Sequence, residues 1–597
     1  MRRSVLNFVL AIGFFAVAAG ILVARGAPAS SYESSIYLGT PQAMWVAIGF
    51  ALAIAVGTVL SCRGSQQAAG IGLGATAMIA VVALPAIRNY RFSGMGDSLT
   101  HLGWVRDFVD GAMYPHELFY PGLHSIASVF HLVGGIPLER AVLLSVVFLF
   151  VPFVIFVPLV VRDMTGSAAA VGFAAIASWM ILPINNVATH MGAHTNSNAL
   201  FLVPVVIFAF VAYTRRRTDL ETLPLGISPL GALIFLTGAG LLLVHPQQMV
   251  NVVVMLVAIS AVQFLARRRY EDHPMSQHAP AYAHAFSLGG LFLVWAASNE
   301  RFRDAFSGLI YGLFAADIGA SSEVDQRGAS LTEIGGSISE LFVKMFLVSA
   351  LVSLVVGLFI LLTWVGRTRL DLETKSFVTY FVGALVPLTG MFLVYFIGTP
   401  TMAFRQVGFI FVLLTILSGI ALAHGVGWLS GVITAPGANA VASLFLGACL
   451  VLALLTVFST PYIYTPTQHV TDQQYSGYES SFEHGEETTP YAGFGFGVER
   501  YGHGVHGVER NVSATYSAGT EGVVDAEAFN EGNYTGAYHT DRYYFVVTQY
   551  DETRELEVYQ GLHHDQAALE GIDSSDSANK FLSNDEYRLY AVHNASA

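Results

Sequence analysis

Apolar runs about as long as a lipid bilayer is thick recur along the chain from residue 4 to residue 457. Of the 597 residues, 54% are hydrophobic and only 12% are charged. A soluble protein normally carries about 25% charged residues, and a transmembrane β-barrel is built from short segments of alternating polarity. The sequence therefore predicts a polytopic α-helical membrane protein.

Thirteen predicted spans place every cluster of basic residues on one side of the membrane. The spans lie near residues 4–24, 43–61, 69–87, 141–161, 167–184, 198–213, 229–245, 248–265, 283–298, 341–364, 377–397, 405–424 and 437–457. The basic clusters are Arg2 and Arg3, Arg63, Arg162, Arg215 to Arg217, Arg267 to Arg269, and Arg367, Arg369 and Lys375. Because Lys and Arg accumulate in cytoplasmic loops, we expect a cell-membrane protein with a cytoplasmic N-terminus and an extracellular C-terminal domain.

The N-terminal apolar run permits two interpretations. Arg2 and Arg3 precede it, and Ala27-Pro28-Ala29 after it resembles the cleavage site of a signal peptide. The run has about 20 apolar residues, whereas the apolar part of a signal peptide has about 7 to 15. We therefore expect a retained membrane helix.

The composition changes after residue 457, where the chain becomes acidic. Most of the net charge of −13 comes from residues 458–597, and the whole chain has lysines only at Lys344, Lys375 and Lys580. An acidic, Lys-poor surface suits a high-salt cell, in which self-repulsion is screened. We hypothesise a halophilic archaeal source, with an ordinary acidic domain as the alternative.

The C-terminal region is predicted to be a small α+β or β-rich domain. Residues 542–550 and 586–594 have the composition of strands, and the Gly-rich run 491–509 favours a loop. The glycosylation patterns are all in this region, which agrees with an external location; they begin at Asn511, Asn533 and Asn594.

The predicted external loop 88–140 concentrates titratable residues beside the membrane. If residues 119–133 within it also crossed, two downstream basic clusters would move outside, against the positive-inside rule. Apolar residues recur three apart from Leu99 to Phe108, which predicts an amphipathic helix. We therefore expect this loop to hold two helices that lie on the membrane surface.

Asp97 is the first candidate for chemistry in this loop. It begins the amphipathic helix, so one interpretation is an N-cap that accepts hydrogen bonds from the first amides. The other is a general base, since a carboxylate near a low-dielectric interface tends to act as one. His101 lies one turn further on the same side, and together with His116 and Glu117 it is predicted to bind substrate.

These motifs resemble the GT-C superfamily of glycosyltransferases, which use polyprenyl-phosphate-linked sugars. The superfamily includes protein O-mannosyltransferases, aminoarabinose transferases and oligosaccharyltransferases, and it carries a catalytic Asp in the first large external loop. This chain has "GMGDSLTH" and then "LFYPGLH", with Gly122 in place of the second Pro of a family motif. It has no second Asp beside Asp97 and no Trp-Trp-Asp motif, which separates it from a typical oligosaccharyltransferase.

The resemblance implies a chain of three parts. Residues 1–68 hold two additional N-terminal helices, residues 69–457 form a GT-C-like catalytic membrane domain, and residues 458–597 form the external acidic domain. Within the second part, the external loop 299–340 occupies the place of the family's mobile loop, so we expect it to close over the lipid donor.

The resemblance also implies residue roles. Asp97 is expected to take the proton from an acceptor hydroxyl while that oxygen attacks the anomeric carbon with inversion. Arg405 is the first candidate to pair with the leaving phosphate, and its alternative is an interfacial arginine that only reaches the polar boundary. Arg301 and Arg303 are weaker candidates for the same role.

Three further histidines are predicted to bind substrate. His190 and His194 lie four apart in an external loop, where sugar binding, ordinary loop structure and metal binding are the alternatives, although no third metal ligand is evident. His245 occupies a tight external turn between two spans, so it either lines a cavity or only forms the turn. A divalent metal is the one cofactor that the sequence leaves open.

Other function classes make different predictions. A transporter or flippase of a lipid or polysaccharide needs charges along an intramembrane path, and a membrane scaffold for surface assembly needs no catalytic Asp. The sequence contains no ATP-binding, dinucleotide-binding, zinc or serine-hydrolase motif. The expected partners are a polyprenyl-phosphate sugar, a glycan, lipid or protein acceptor, and membrane lipids, but no nucleic acid.

Overall fold

The structure is a computed structural model that describes most of the chain. It covers residues 3–216, 221–300, 336–398, 400–495, 497–509 and 522–593, with the isolated residues 303, 304, 307 and 332. Arg217, Arg301, most of the predicted loop 299–340, and the glycosylation patterns at Asn511 and Asn594 lie outside the described residues.

The chain up to residue 454 is built from α-helices. The longer helices are Arg3–Arg25, Gln42–Ser61, Ser65–Val82, Asp97–Asp110, Gly122–Leu132, Leu138–Thr165, Ala168–Trp179, Val203–Arg216, Pro229–Val244, Pro246–Arg269, Tyr282–Ser298, Ile338–Trp364, Leu372–Gly398, Pro400–Val432 and Ala435–Leu454. The short helical pieces between them are Ile36–Gly39, Leu84–Ile87, Thr195–Leu200, Pro224–Gly226 and Pro274–Gln277.

Within the described ranges, 10 helical segments are long and apolar enough to cross a membrane. The chain is therefore a multi-pass membrane protein. Three more of the predicted spans coincide with shorter apolar helices, Ala168–Trp179, Pro229–Val244 and Tyr282–Ser298. Ala168–Trp179 has 12 residues, which is about 18 Å of helix against a hydrocarbon thickness of about 30 Å. The predicted number of thirteen spans is thus not confirmed.

Small residues allow the membrane helices to approach each other closely. A side chain at Gly20 would meet Met44 and Ala47 of the neighbouring helix, and one at Gly419 would meet Ala174. Lipid is as apolar as the helices, so close packing rather than hydrophobic burial holds helices together inside a bilayer. These glycines therefore fix where pairs of helices cross.

The described residues include six short strands, four of which form one sheet in the C-terminal domain. The strands are β1 (Phe92–Ser93), β2 (His469–Val470), β3 (Tyr491–Ala492), β4 (Tyr543–Thr548), β5 (Ala578–Asn584) and β6 (Tyr587–Val592). The sheet has the order β3–β4–β6–β5, with β3 parallel to β4 and the other neighbours antiparallel. The predicted small sheet-containing domain and its strands near 542–550 and 586–594 are confirmed.

Helices and single turns pack around this sheet. The α-helices are Asp472–His484, Gly497–His506, Ala526–Asn530, Gln549–Glu552 and Gln566–Gly571. The tighter or wider turns are Pro461–Ile463, Thr553–Val558 and Ile572–Ser574. The domain is therefore of the α+β class rather than all-β.

The prediction of a loop over the Gly-rich run 491–509 is wrong in its second half. Gly497–His506, which we call the docking helix, buries Val498 and Tyr501, and the Tyr501 ring stacks on Tyr478 with ring centroids 3.9 Å apart. A glycine costs a helix only about 1 kcal/mol, whereas burying one large apolar side chain contributes about 1.5 to 3 kcal/mol. The free energy gained by burying Val498 and Tyr501 therefore exceeds the cost of placing glycines in this helix.

The helix Asp97–Asp110, which we call the cavity helix, forms as predicted but not in the predicted surroundings. Its apolar residues Leu99, Leu102 and Val105 are buried by protein, and Gly504 of the docking helix lies against Leu99 and Leu102. The apolar face is thus covered within the protein rather than by lipid. Sequence periodicity identifies a face that is buried, but not what buries it.

The strands β1 and β2 join the cavity helix region to the C-terminal domain. They pair antiparallel, with Phe92 opposite Val470 and Ser93 opposite His469. Phe92 and Val470 are fully buried, so this two-residue ladder has an apolar lining. The domain is held against the segment that leads into Asp97 although almost 380 residues separate the two strands along the chain.

We expect Gly103→Ala to weaken the docking of the C-terminal domain. A methyl group at Gly103 lies 2.5 Å from the backbone oxygen of His503, and overpacking of this kind costs about 1 to 3 kcal/mol, more than the gain of about 0.5 to 1 kcal/mol for replacing a helical glycine. Thermal unfolding of the detergent-solubilised protein should show a lower transition temperature. Gly72→Ala is the control, because nothing lies within 4 Å of that position; an equal effect of both variants would contradict the proposed contact.

Candidate functional site

A glycine-rich turn presents Asp97 at the start of the cavity helix. Gly94 and Gly96 have φ angles of 115° and 60°, which glycine adopts without strain. The N-cap residue is Gly96 and not Asp97, and no side chain caps this helix end. The alternative that Asp97 serves as the N-cap is therefore wrong, and its carboxylate is left for other contacts.

Gln468 of the C-terminal domain fixes this turn. Its backbone oxygen accepts a hydrogen bond from the Gly94 amide at 2.8 Å, and its side-chain Oε1 accepts one from the Met95 amide at 3.2 Å. These two bonds continue the β1–β2 ladder up to the residue before Gly96. The position of Asp97 is thus set by a residue from the other end of the chain.

Asn185 organises the opposite wall. Its Oδ1 accepts hydrogen bonds from the backbone amides of residues 187, 188 and 189 at 3.0 to 3.3 Å. Its Nδ2 donates to the backbone oxygen of Phe404 at 2.9 Å. One side chain therefore shapes the loop that carries His190 and joins it to the helix turn that carries Arg405.

Ser197 holds the two loop histidines in place. Its Oγ accepts a hydrogen bond from the His190 backbone amide at 2.8 Å and forms another with Nδ1 of His194 at 2.8 Å. The two imidazole rings are perpendicular, with centroids 5.6 Å apart. Among the described residues, Nδ1 of His190 is buried without a hydrogen-bond partner, so this nitrogen can form a hydrogen bond to a bound ligand.

These segments enclose a cavity of about 230 Å³ at the junction of the membrane helices and the C-terminal domain. Four of the predicted site residues line it together: Asp97, His190, His194 and Arg405. The other lining residues are Met95, Ser98, Val187, Ala188 and Gln468. A carboxylate, a guanidinium and two imidazoles from three separate stretches of the chain thus face one space.

Burial makes both cavity histidines weak bases. Burial, together with the nearby Arg405 guanidinium, lowers the pKa of His190 from its usual 6.5 to about 4, although Asp97 acts in the opposite direction. Burial, and then His190 and Arg405, hold the pKa of His194 well below its usual range. Both imidazoles are therefore neutral at neutral pH, and they can donate or accept hydrogen bonds without adding charge.

The structure places the other predicted site residues away from this cavity. His101 is buried and shares a hydrogen bond of 3.0 Å between its Nδ1 and Nε2 of His124. His116 is exposed and stacks on Tyr114, and Glu117 accepts a hydrogen bond from the Tyr114 amide at 2.6 Å. None of His101, His116 and Glu117 lines the cavity. His101 faces His124 of the helix Gly122–Leu132, and His116 and Glu117 follow the end of the cavity helix at Asp110.

His245 and Arg303 also lie outside the lining. His245 caps the helix Pro246–Arg269 by accepting a hydrogen bond from the Gln247 amide at 3.3 Å, and its ring lies 5.4 Å from that of Tyr120. Burial, with the Arg405 charge as the next cause, lowers its pKa to about 3. The contacts of His245 thus agree with the interpretation that it forms the turn, although the Arg405 charge also lowers its pKa. Arg303 is exposed.

Three buried carboxamides form a hydrogen-bonded chain. Gln248 donates to Oδ1 of Asn196 at 2.6 Å, and Asn251 donates to Oε1 of Gln248 at 3.0 Å. The side-chain amide of Gln406, next to Arg405, is fully buried, and neither of its polar atoms has a hydrogen-bond partner among the described residues. Such groups need partners, and buried water is the usual one.

Sequence reasoning misses five of the nine lining residues, and Gln468 is the one among them that comes from the C-terminal domain. Its neighbours "YTPTQHVTD" carry no motif that indicates a site, and its role depends on a strand of two residues, too short to be predicted. Within the described ranges, no three His, Cys, Asp or Glu side chains gather so as to hold a metal ion.

Comparison with known protein families gives a match over most of the chain. The model of a family of unknown function, DUF6541, matches residues 2–490. The chain belongs to this family. The match includes the membrane helices, β1, β2 and all nine lining residues of the cavity, and it ends before the docking helix. No curated protein matches the chain.

Solved structures show a loose similarity to this DUF6541 member. One is the archaeal oligosaccharyltransferase AglB from Archaeoglobus fulgidus in complex with an inhibitory peptide and a dolichol-phosphate, with 12% identity, a TM-score of 0.45, and coverage of 86% of this chain and 74% of that chain. Another is ArnT from Cupriavidus metallidurans bound to undecaprenyl phosphate, with 12% identity, a TM-score of 0.45, and coverage of 92% and 98%. TM-scores below 0.5 do not by themselves establish a common fold.

We expect the stability of the protein to fall between about pH 6.5 and pH 4 in a way that depends on His101. Burial lowers the pKa of His101 from its usual 6.5 to about 4. Between these values the unfolded chain binds a proton that the folded chain does not, so stability is complete above about pH 6.5 and falls by up to about 1.4 kcal/mol per pH unit below it.

His101→Gln should therefore flatten the acid side of a plot of transition temperature against pH. The measurement is thermal unfolding in detergent at half-unit pH steps. Loss of packing appears as a constant offset, which the values at pH 8 give separately. Identical slopes in the variant and the wild type would contradict the assignment.

Proposed function

We propose that the protein transfers a sugar from a polyprenyl-phosphate-linked donor to an acceptor, with Asp97 as general base and Arg405 as the partner of the leaving phosphate. The acceptor is a hydroxyl group of a glycan, lipid or protein on the outer face of the membrane. The proposal places the protein near the GT-C glycosyltransferases that its loop motifs resemble.

The observation that carries this proposal is the presence of both Asp97 and Arg405 in the lining of one cavity. About 300 residues separate them along the chain, and each sits at the end of a different helix. A displacement at the anomeric carbon needs a base on one side of the sugar and a cation on the other, where the phosphate leaves. Both groups border one cavity of about 230 Å³, in which the reacting sugar is proposed to bind.

The reaction follows from the two charged groups. The acceptor oxygen attacks the anomeric carbon and passes its proton to Asp97. The bond between that carbon and the phosphate oxygen breaks, its electron pair goes to the phosphate, and the lipid phosphate leaves with inversion at the sugar. The Arg405 guanidinium pairs with the phosphate through two N–H groups.

The neutral histidines fit sugar binding. A sugar presents hydroxyl groups that both donate and accept hydrogen bonds, and a neutral imidazole can do both. The low pKa values of His190 and His194 keep these rings uncharged, so they do not compete with Arg405 for the phosphate. The unpartnered Nδ1 of His190 is therefore assigned to the sugar.

The cavity has a location that suits a lipid-linked donor. Arg405 lies near the start of the membrane helix Pro400–Val432, so a phosphate bound there can keep its polyprenyl chain in the bilayer. On the other side, the C-terminal domain contributes Gln468 to the lining. The donor is therefore proposed to enter from the membrane and the acceptor from the side of the domain.

Sugar transfer by the purified protein in lipid vesicles tests this proposal. Polyprenyl monophosphate and pyrophosphate sugars are supplied as separate donors, with EDTA in a parallel series to test for a divalent metal. Asp97→Asn should lower transfer by about 100-fold or more, the usual contribution of a general base. Asp110→Asn, an exposed residue at the last turn of the same helix, is the matched control and should leave transfer unchanged.

The Arg405 variants separate charge from geometry. Arg405→Gln should lower kcat/KM for the donor by about 100- to 1,000-fold, and Arg405→Lys should retain part of it, since the charge stays but the two-pronged contact is lost. Wild-type rates in Asp97→Asn would refute the general base. Absence of transfer by the wild type from every donor would favour a transporter or a scaffold instead.

A further inference from the structure

The carboxylate of Asp97 is contacted by an arginine from the C-terminal domain. Nη2 of Arg500, in the docking helix, lies 3.3 Å from Oδ1 of Asp97. The Asp97 side chain is 61% exposed and that of Arg500 is 29% exposed. An ion pair as open as this contributes little to stability, so its main effect is on the position of the carboxylate.

The Arg500 head group has a second anchor on the same helix face. Its Nη1 donates a hydrogen bond to Oγ1 of Thr100 at 2.7 Å. Thr100 is three residues after Asp97, so the two groups are neighbours on the surface of the cavity helix. Oγ1 of Thr100 also bonds to Nδ1 of His503 at 3.1 Å. The guanidinium is thus held between two fixed points rather than free to move in solvent.

The docking helix itself is held in register by contacts to its backbone. Nε of Arg106 donates to the Gly504 oxygen at 3.0 Å. Oδ2 of the buried Asp107 accepts hydrogen bonds from the backbone amides of Val508 and Glu509 at 2.8 and 3.1 Å. These hydrogen bonds from the cavity helix hold the backbone of residues 504, 508 and 509. They therefore fix the position of the docking helix, and with it that of Arg500 relative to Asp97.

The contact leaves one carboxylate oxygen available. Arg500 forms its ion pair with Oδ1, and among the described residues Oδ2 of Asp97 has neither an ion pair nor a hydrogen bond. A general base must point one lone pair at the proton that it accepts, and a misplacement of about 1 Å can cost about 100-fold in rate. Holding Oδ1 from the domain side limits rotation of the carboxylate and leaves Oδ2 for the acceptor.

We propose that Arg500 is a positioning residue that orients the Asp97 carboxylate, so that the C-terminal domain completes the candidate site rather than only presenting the acceptor. This inference rests on the proposed function. Arg500 lies beyond residue 490, where the family match ends, so the contact is a feature of this chain that the match does not cover.

The test compares steady-state sugar transfer by full-length variants in vesicles. Arg500→Gln should lower kcat by about 10- to 100-fold while KM for the donor stays within about twofold, because orientation of the base affects the chemical step and not donor binding. Arg500→Lys should restore part of kcat, and Thr100→Val should lower it less than Arg500→Gln does. Arg542→Gln is the matched control, since Arg542 pairs with Glu486 at 2.6 Å on the exposed surface of the same domain.

A double-mutant cycle distinguishes positioning from a general loss of structure. If Arg500 acts through Asp97, the pair Asp97→Asn with Arg500→Gln should be no slower than Asp97→Asn alone. Additive losses, an unchanged kcat in Arg500→Gln, or a rise of the donor KM with unchanged kcat would each overturn the inference. These outcomes presuppose transfer by the wild type, and its absence would instead remove the proposed function and this inference with it.

Discussion

The antiparallel pairing of β1 with β2 is the contact on which the candidate site depends. Two residues on each side, Phe92 with Val470 and Ser93 with His469, join the first large loop of the membrane region to the C-terminal domain. Gln468 extends the ladder with bonds to Gly94 and Met95. Without this ladder the glycine-rich turn has no fixed conformation, since glycine has the greatest freedom to lose.

The electrostatics of the cavity follow from this arrangement. The turn brings a carboxylate against a wall that carries Arg405, and the loop shaped by Asn185 brings two imidazoles that burial keeps neutral. The attraction between opposite charges is stronger in a cavity of low effective dielectric constant than in water. The lining has one carboxylate, one guanidinium and two neutral imidazoles, a set of groups that is compatible with the proposed neutral sugar and anionic leaving group.

The membrane part of the fold can be predicted from the sequence because its constraint is local. A span needs a continuous apolar run, and each of the thirteen predicted runs coincides with a helix, although only 10 helical segments reach the length and hydropathy of a span. Asp97, His190, His194 and Arg405 can be selected because polar groups at the ends of apolar runs are conspicuous. The selection also includes His101, His116 and Glu117, which the structure places elsewhere.

The contacts between the two parts of the chain cannot be predicted in this way. Gln468 bonds to the turn before Asp97, and Arg500 contacts Asp97 itself. Both contacts exist only when the C-terminal domain is docked, and the neighbours of these residues along the chain do not indicate them. The periodicity of Leu99, Leu102 and Val105 predicts a buried face but does not distinguish lipid from a second domain. The docking helix cannot be predicted from the sequence because its glycines reduce helix propensity. The same glycines permit its close approach to the cavity helix.

The central claim, that the C-terminal domain and the membrane helices form one site as a fixed unit, can be tested with a disulfide bond. Ser93→Cys and His469→Cys place two cysteines on paired residues, within the Cα separation that a disulfide spans, in a background with Cys62→Ser and Cys449→Ser. We predict that the oxidised protein transfers sugar at a rate within about twofold of the reduced protein. Loss of transfer on oxidation that a reductant restores would show that the domain must leave the cavity helix during the reaction, which contradicts the account.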